Sequence, residues 1–514
     1  MRTGCGKLVF AKKPASGQML VLATIILTVM IGISGLAVDM GFLYSTRRRM
    51  QTAADAAAVA GATALRDGQD YTKAADDVTS FNGFTNTKNN VAVTVSQPTL
   101  PPPYSSAVTY VEVDINQSVP TYFLSVLGYK SMNVGARAVS GAVSGPACIY
   151  AMDPSHSATF SLTGNSGITS QCGIIDDSTS SSGLYLNGNI TLTATSIGVV
   201  GSGFSKSGNI TVSPQPVPNI ASLPDPLAAR AQSAAPGVGT CTQAGGAKSG
   251  SYTLSGNIPN QTVGPLLYSG GVSISGNVSS LTLAAGTYGN NINFNGNGGN
   301  LVFNPGQYQN GGGSGDSITL NGNTATTFNA GTYTFCGPVD IVGNNTVTLR
   351  PGNYYGGIKI TGNANVTFGP GTYILAGGGL SVTGNSTLSG TGVTFYNSKA
   401  TGYAYAPINL TGNERANFSA PTSGTLEGFL FFQDPSIAVG AAGITVVGNS
   451  SSSFDGIVYS PNTAITYFGN SSGSGYTVLV GYTISVTGNS AFTIGSNYSS
   501  LSHGAPVKSS ALYE

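Results

Sequence analysis

The feature that most limits what this chain can fold into is a recurring Gly-Asn pair. Its asparagine falls at positions 165, 189, 209, 257, 277, 297, 323, 344, 363, 385, 413, 449, 470 and 489, and eight of the thirteen intervals are 19 to 22 residues. Most pairs follow an alternating apolar triplet such as Val272-Ser273-Ile274, Ile318-Thr319-Leu320, Ile358-Lys359-Ile360 or Leu380-Ser381-Val382. Such a triplet is a short strand with one face inward, and the Gly-Asn behind it is a turn, because both residues tolerate left-handed backbone. A second punctuator shares the period: Gly286-Thr287-Tyr288, Gly306-Gln307-Tyr308, Gly331-Thr332-Tyr333, Gly352-Asn353-Tyr354 and Gly371-Thr372-Tyr373. Each coil therefore has at least two strands and two turns and cannot bury its apolar edge alone. Stacked at about 4.8 Å, the coils form a parallel β-helix, and fourteen or more would extend roughly 65 Å.

Stacking places the asparagines Asn257, Asn277, Asn297, Asn323, Asn344, Asn363 and Asn385 one above another on a single edge. Each amide is expected to hydrogen-bond to its neighbours in the stack, which avoids about 1 to 3 kcal/mol per group if the amides are buried. Their role is read as structural, with presentation of the same amides to a sugar as the alternative. Three intervals exceed the period. The longest, between Asn209 and Asn257, is Pro-rich with a short Ala-rich stretch that can make one helical turn. The others enclose Tyr403 and Tyr405, a candidate contact loop, and Phe429 to Phe432, which reads as a buried strand.

Ahead of the repeats, residues 19–38 form an uncharged, mostly apolar run of twenty. At about 1.5 Å per residue, a helix of that length spans roughly 30 Å, the thickness of a bilayer core. Asp39, Tyr44, Arg47, Arg48 and Arg49 follow, and an Ala-rich stretch to residue 65 continues the helical pattern, so one helix is expected through both. Gly17-Gln18, the sequence Gly-Leu-Ala-Val-Asp-Met-Gly at 35–41, the arginines and Gln51-Thr52-Ala53-Ala54-Asp55-Ala56-Ala57-Ala58 together resemble the N-terminal region of TadG-like proteins of the tight-adherence (Flp) pilus machinery. The resemblance implies a membrane-anchored protein that exports its C-terminal part and serves pilus assembly, with other assembly or envelope proteins as partners. It is read over residues 17–145. The first 16 residues carry Arg2, Lys7, Lys12 and Lys13, a basic flank read as cytoplasmic, yet the far side of the run is basic too. The resemblance decides for an exported C-terminal region.

Between anchor and repeats the pattern is mixed α/β. Residues 91–95 and 111–115 alternate as half-buried strands and can form a hairpin beside the helix, separated by Pro101-Pro102-Pro103. Residues 120–128 place apolar groups at helical spacing, with Tyr122 and Phe123 read as core. Alternation returns at 132–143. The fold class is thus mainly β: a basic leader (1–16), a transmembrane and juxtamembrane helix (17–66), a small α/β domain (67–145), a long parallel β-helix with Gly-Asn turns (146–505) and a tail (506–514).

A formal net charge of +1 with 8% charged residues provides no basic stripe, which excludes nucleic acid as a partner. From residue 146 onward there are 8 Lys and Arg and 11 Asp and Glu, too few for most acid-base clefts. His156 and His503 are the only histidines, so no metal or cofactor is expected. Asp340, Arg350 and Lys359 are read at different places in successive coils, and Asp176-Asp177 as solvated turn residues. Cys5 precedes the anchor, and four cysteines follow it, as an oxidising compartment permits. Cys148 and Cys172 lie about one coil apart and are expected to pair, leaving Cys241 with Cys336. The chain thus reads as a single-pass protein of the cytoplasmic membrane, held in lipid by residues 19–39, a non-catalytic accessory of pilus assembly or adhesion. The alternative is an exported β-helix that binds or cleaves carbohydrate such as a surface polysaccharide; self-association of the solenoid is a further variant.

Overall fold

A computed structural model describes residues 16–66, 69–97, 109–144, 147–220, 222–244, 248–472 and 475–512. Cys5, Pro101-Pro102-Pro103 and nearly all of the expected basic leader fall outside them. The chain divides into two units, residues 1–143 with 509–514, and residues 144–508.

In the first unit, helix α1 (Ser16–Arg66) runs unbroken for 51 residues through the apolar run and the Ala-rich stretch. Side chains from Met19 to Phe42 are largely exposed, whereas Met50, Ala53, Ala54, Ala57, Ala58 and Ala62 are fully buried. The alanines explain the change: a helix face without large side chains lets Val111, Val113 and Ile115 of a sheet approach closely. That closeness is needed at Gly61, where a Cβ would lie 2.9 Å from Val111 Cγ1. Helix α2 (Tyr71–Phe81) packs on α1 and starts at Asp70, whose Oδ1 accepts from the backbone N–H of Thr72 and Lys73 at 3.0 Å. The expected hairpin forms, with Val93 opposite Ile115. Thr109–Pro120 then pairs antiparallel with Ser131–Ser144, and the strand Lys508–Leu512 completes a four-stranded sheet. The segment read as a tail thus contains that fourth strand.

The second unit is a parallel β-solenoid of about fifteen turns. A regular coil has three strands, as in Ile358–Gly362, Asn365–Phe368 and Gly371–Ala376. The first two belong to one sheet, bent at the Gly-Asn pair, and the third to a second sheet. Alternate residues of the bent sheet point inward, giving the buried and exposed alternation of Ile318–Phe328.

The stacking order is not the chain order. The chain enters at Ala147–Ala151 and builds three strands of the bent sheet, Phe160–Ser170, Leu184–Thr193 and Ser205–Ser213, which end the stack at one pole. It then crosses to the opposite pole and restarts at Tyr252–Ile258. From there it winds back until Ile484–Ile494 lies against Phe160–Ser170, with Asn489 opposite Asn165. The solenoid is therefore closed by pairing its last coil onto its first, and the chain enters and leaves it at neighbouring coils away from both poles.

The crossing segment, residues 214–251, is the long Pro-rich interval, and its helical turn is α3 (Ala228–Ala234). Its described residues run as a strap along the outer face of the second sheet. Leu223 N–H donates to Asp177 Oδ1 (2.9 Å), Asp225 Oδ2 accepts from Tyr459 (2.6 Å), and the Arg230 guanidinium lies 5.2 Å from the Phe429 ring and donates to the Glu427 carbonyl. Beyond α3, Cys241 is bonded to Cys336 and Gln243 donates to Asn310 (2.7 Å). Gln309, Cys336 and Tyr355 occupy one outward row under this strap. Ala147–Ala151, Val393–Ser398, Phe429–Gln433 and Thr477–Gly481 are buried at every position, as parallel strands covered on both faces are, and over Phe429 the strap supplies part of that cover.

Candidate functional site

The Gly-Asn ladder forms, and its chemistry differs from the buried stack expected. Asn277 donates to Asn257 (3.3 Å), Asn323 to Asn297 (3.4 Å), Asn363 to Asn344 (3.1 Å) and Asn385 to Asn363 (3.2 Å), and the ladder continues through Asn165 to Asn489 (3.1 Å) and Asn209 to Asn189 (3.0 Å). All of these amides are exposed to solvent. The bend at most of the described Gly-Asn pairs turns the asparagine outward and sends the next residue into the core; Gly298, after Asn297, stays exposed. Ser166, Ile190, Ile258, Val278, Thr324, Asn345, Ala364, Ser386, Glu414 and Ser490 are the buried row. The signal was one residue downstream of the motif. The glycine, by contrast, is needed for space as well as for its positive φ: a Cβ on Gly276 would lie 2.2 Å from the Gly256 carbonyl oxygen.

The Gly-X-Tyr punctuator supplies core, not surface. Tyr288, Tyr308, Tyr333, Tyr354 and Tyr373 are buried, and each hydroxyl donates to the carbonyl four residues before it, at 2.9 Å to Ala284 and 2.6 Å to Asn304, for example. Their rings belong to an aromatic column, with centroids 5.2 Å apart for Tyr288 and Tyr308, 5.7 Å for Tyr354 and Tyr373, and 5.6 Å for Phe395 and Phe431. Each such pair contributes about 0.5–1.5 kcal/mol beyond its buried area.

Tyr403 and Tyr405 are half-buried and committed to local partners. Tyr403 donates to the Cys336 carbonyl (3.0 Å) with its ring 5.3 Å from Tyr355, and Tyr405 donates to the Ala442 carbonyl (2.8 Å) and accepts from Gln433 (2.7 Å). Cys148 and Cys172 are bonded, with Cα atoms 5.8 Å apart.

The ionisable groups differ from expectation in two places. Asp176 and Asp177 are buried rather than solvated: Ser222 and Leu223 of the strap cover Asp177, while Asp176 is enclosed by the turn at Ser178 and Gly183. Loss of water, helped by the neighbouring Asp177 charge and opposed by the Ser178 N–H, pushes the Asp176 carboxyl up to about 7. Asp340 and Lys359, read as lying apart, are register neighbours, since their spacing equals one coil. Lys359 Nζ is 3.7 Å from Asp316 Oδ1, and Asp340 is raised by desolvation and by Asp316. Arg350 stays apart in a turn, donating to the Phe328 carbonyl (2.9 Å). Sequence reasoning missed Glu414, 1% exposed in the core row, whose oxygens have no hydrogen-bond partner among the described residues and whose carboxyl is pushed up to about 7 by burial. It also missed Glu427, which burial pushes up but the His503 side chain, the His503 N–H and Ser502 together bring below its ordinary value.

A concave surface on the solenoid offers room for a ligand. Where the bent sheet folds outward at the pole made by Ser205–Ser213, a groove of about 520 Å³ is lined by Asn165, Asn189, Asn209, Thr169, Thr191 and Thr211, among others. Hydroxyls and amides line it together with Ile190, Ala491 and Phe492, without a charged side chain. No group of three or more His, Cys, Asp or Glu that could hold a metal occurs among the described residues.

Helix α1 is the one described helix long and apolar enough to cross a membrane. Compared with known families, residues 17–64 match the model described as "Putative Flp pilus-assembly TadE/G-like". Over this segment the chain is similar to TadE/G-like pilus-assembly proteins. The match covers α1 and ends before α2, within the 17–145 over which the resemblance was read. No curated protein and no solved structure matches the chain. A TadE/G-like match on a membrane-capable helix, followed by a β-solenoid, fits a membrane-anchored, pilus-related protein.

Proposed function

We propose that this chain is a non-catalytic accessory of pilus assembly or surface adhesion, which holds an exported β-helix at the outer side of the cytoplasmic membrane. The observation that carries this reading is the TadE/G-like match on the one membrane-capable helix among the described residues. Two features support it. Both disulfides lie beyond that helix, and such bonds persist in oxidising compartments, so they favour export of everything after it. The conspicuous ionisable groups of the solenoid are used internally: Asp177 and Asp225 fasten the strap, and Glu427 binds the chain at His503. Fusions at residues 145 and 514 are expected to be active only with an exported reporter, and deletion of the chain to reduce piliation or adherence. A fusion at 514 active with a cytoplasmic reporter would refute the topology. Cleavage of a polysaccharide by the purified protein, lost on joint replacement of His156, His503, Asp176 and Asp177, would refute the non-catalytic reading.

The uncharged groove favours glycan contact as a second reading, and its chemistry suits neutral sugars better than uronates. Replacing Thr169, Thr191 and Thr211 by Val should abolish retention on a neutral polysaccharide column; retention unchanged from the natural protein would end that reading.

A further inference from the structure

We infer that the turn at residues 121–130 is a second membrane contact, a wedge seated in the headgroup and upper acyl region of the leaflet where α1 leaves the bilayer. The inference rests on the reading of α1 as membrane-spanning. Tyr122 and Phe123 were expected in the core, yet Tyr122 is 63% exposed, Phe123 46%, Val126 85%, Leu127 73% and Tyr129 64%. Apolar and aromatic side chains so exposed on one short turn would be costly in water.

The turn is held rigidly in this state. Thr121 N–H donates to the Lys130 carbonyl (3.1 Å) and its hydroxyl to the Tyr129 carbonyl, closing the base. Next to this base the Asp39 carboxylate accepts from the backbone N–H of Tyr122 (3.0 Å), Phe123 (2.9 Å) and Leu124 (2.7 Å). Asp39 is 1% exposed although it directly follows the apolar run. Three N–H donors replace water around it, which is what a carboxylate at a membrane boundary requires. Its partner is this turn, and that bond fixes where the turn sits on α1.

The position identifies the occupant. The Phe123 ring lies against Gly35, where a Cβ would be 2.4 Å away, so only glycine admits it. Gly35 is four residues before Asp39, about 6 Å deeper along the helix axis. Phe123 also borders an apolar hollow with Leu27, Ile31 and Gly35, well inside the membrane-spanning stretch. The exposed surface of the turn is therefore continuous with the surface that α1 presents to lipid. Tyr122 packs on Phe42 (6.1 Å), and Lys130, Arg47 and Arg48 are exposed, in keeping with aromatic and basic side chains at a headgroup level. A wedge and a helix together fix the depth and rotation of the anchor, which a lone helix does not.

The chain contains no tryptophan, so one introduced indole reports its own environment. The full chain is reconstituted in phosphatidylcholine and phosphatidylglycerol vesicles with lipids brominated near the headgroup or near the chain end. Leu127→Trp, with Val126→Trp as a repeat at the neighbouring position, should show blue-shifted emission and lose intensity mainly to the headgroup-proximal bromines. Val217→Trp, exposed on the solenoid, should be unaffected, and Ile26→Trp, within the span, should be quenched most by chain-end bromines. Quenching of Ile26→Trp with water-like, unquenched emission from both turn variants overturns the wedge alone. Blue-shifted but unquenched emission at the turn places it against protein, such as a second copy, and overturns the lipid assignment. An unquenched Ile26→Trp overturns the span and the wedge with it.

Discussion

Two adjacent asparagines should respond very differently to truncation. Asn344 belongs to the exposed ladder and accepts one amide hydrogen bond, from Asn363 at 3.1 Å. Asn345 is fully buried. Its Oδ1 accepts from Thr324 N–H (3.1 Å) and Thr324 Oγ1 (2.9 Å), while its Nδ2 donates to the carbonyls of Leu320 (3.2 Å) and Val342 (2.7 Å). Asn344→Ala exchanges a solvated bond for water and should cost below about 1 kcal/mol. Asn345→Ala removes four bonds worth roughly 0.5–1.5 kcal/mol each and strands their partners away from water, so about 3–5 kcal/mol is expected. Asn345→Asp should fare no better, since a carboxylate oxygen would face two carbonyls. Urea unfolding of the detergent-solubilised protein, followed by circular dichroism, measures both, with an unchanged slope required so that midpoints report stability. If Asn345→Ala unfolds within about 1 kcal/mol of Asn344→Ala, the assignment of outward and inward positions at the bend is wrong.

Gly276→Ala should destabilise well beyond Gly256→Ala, because Gly256 shares a positive φ but has nothing within 4 Å of a Cβ and should show only the backbone strain of about 1–2 kcal/mol. Peptide mapping without reductant should recover Cys148 with Cys172 and Cys241 with Cys336; joint Cys241→Ser and Cys336→Ser opens a 95-residue loop, worth up to about 4–5 kcal/mol in chain entropy, and should expose the strap to protease. Asp176 and Glu414 sit near 7 in the fold against ordinary values of 3.8 and 4.5, so the folded state holds more protons. Their contribution is therefore present at low pH and lost as pH rises from about 4 to about 7, and Asp176→Asn should flatten that part of a stability profile measured by thermal melting.

What the sequence made legible was whatever repeats or is continuous. The Gly-Asn and Gly-X-Tyr periods specify a parallel coil, and twenty uncharged residues specify a helix, because each signal depends on local geometry alone. The stacking order was not legible. Every coil carries the same turn chemistry, so nothing in Ser207-Gly208-Asn209-Ile210 says that the next coil is absent, or in Ile484-Ser485-Val486 that its partner is 324 residues earlier. The strap follows from that order, and burial of Asp177 follows from the strap. Tyr122 and Phe123 differ for another reason: helical spacing of apolar groups does not say whether they pack inward or stay exposed.

The central claim is that this protein acts by being held in place, and cutting it loose tests that directly. Because the chain enters and leaves the solenoid at neighbouring coils, inducible protease sites are needed on both connections, at residues 145–146 and 505–506. Resistance of the released solenoid to further proteolysis would verify that it remains folded. The account predicts that piliation or adherence falls on cleavage to the level of the deletion strain. Full function from the folded, released solenoid would contradict it, because a diffusible enzyme works when detached and a positioned part does not.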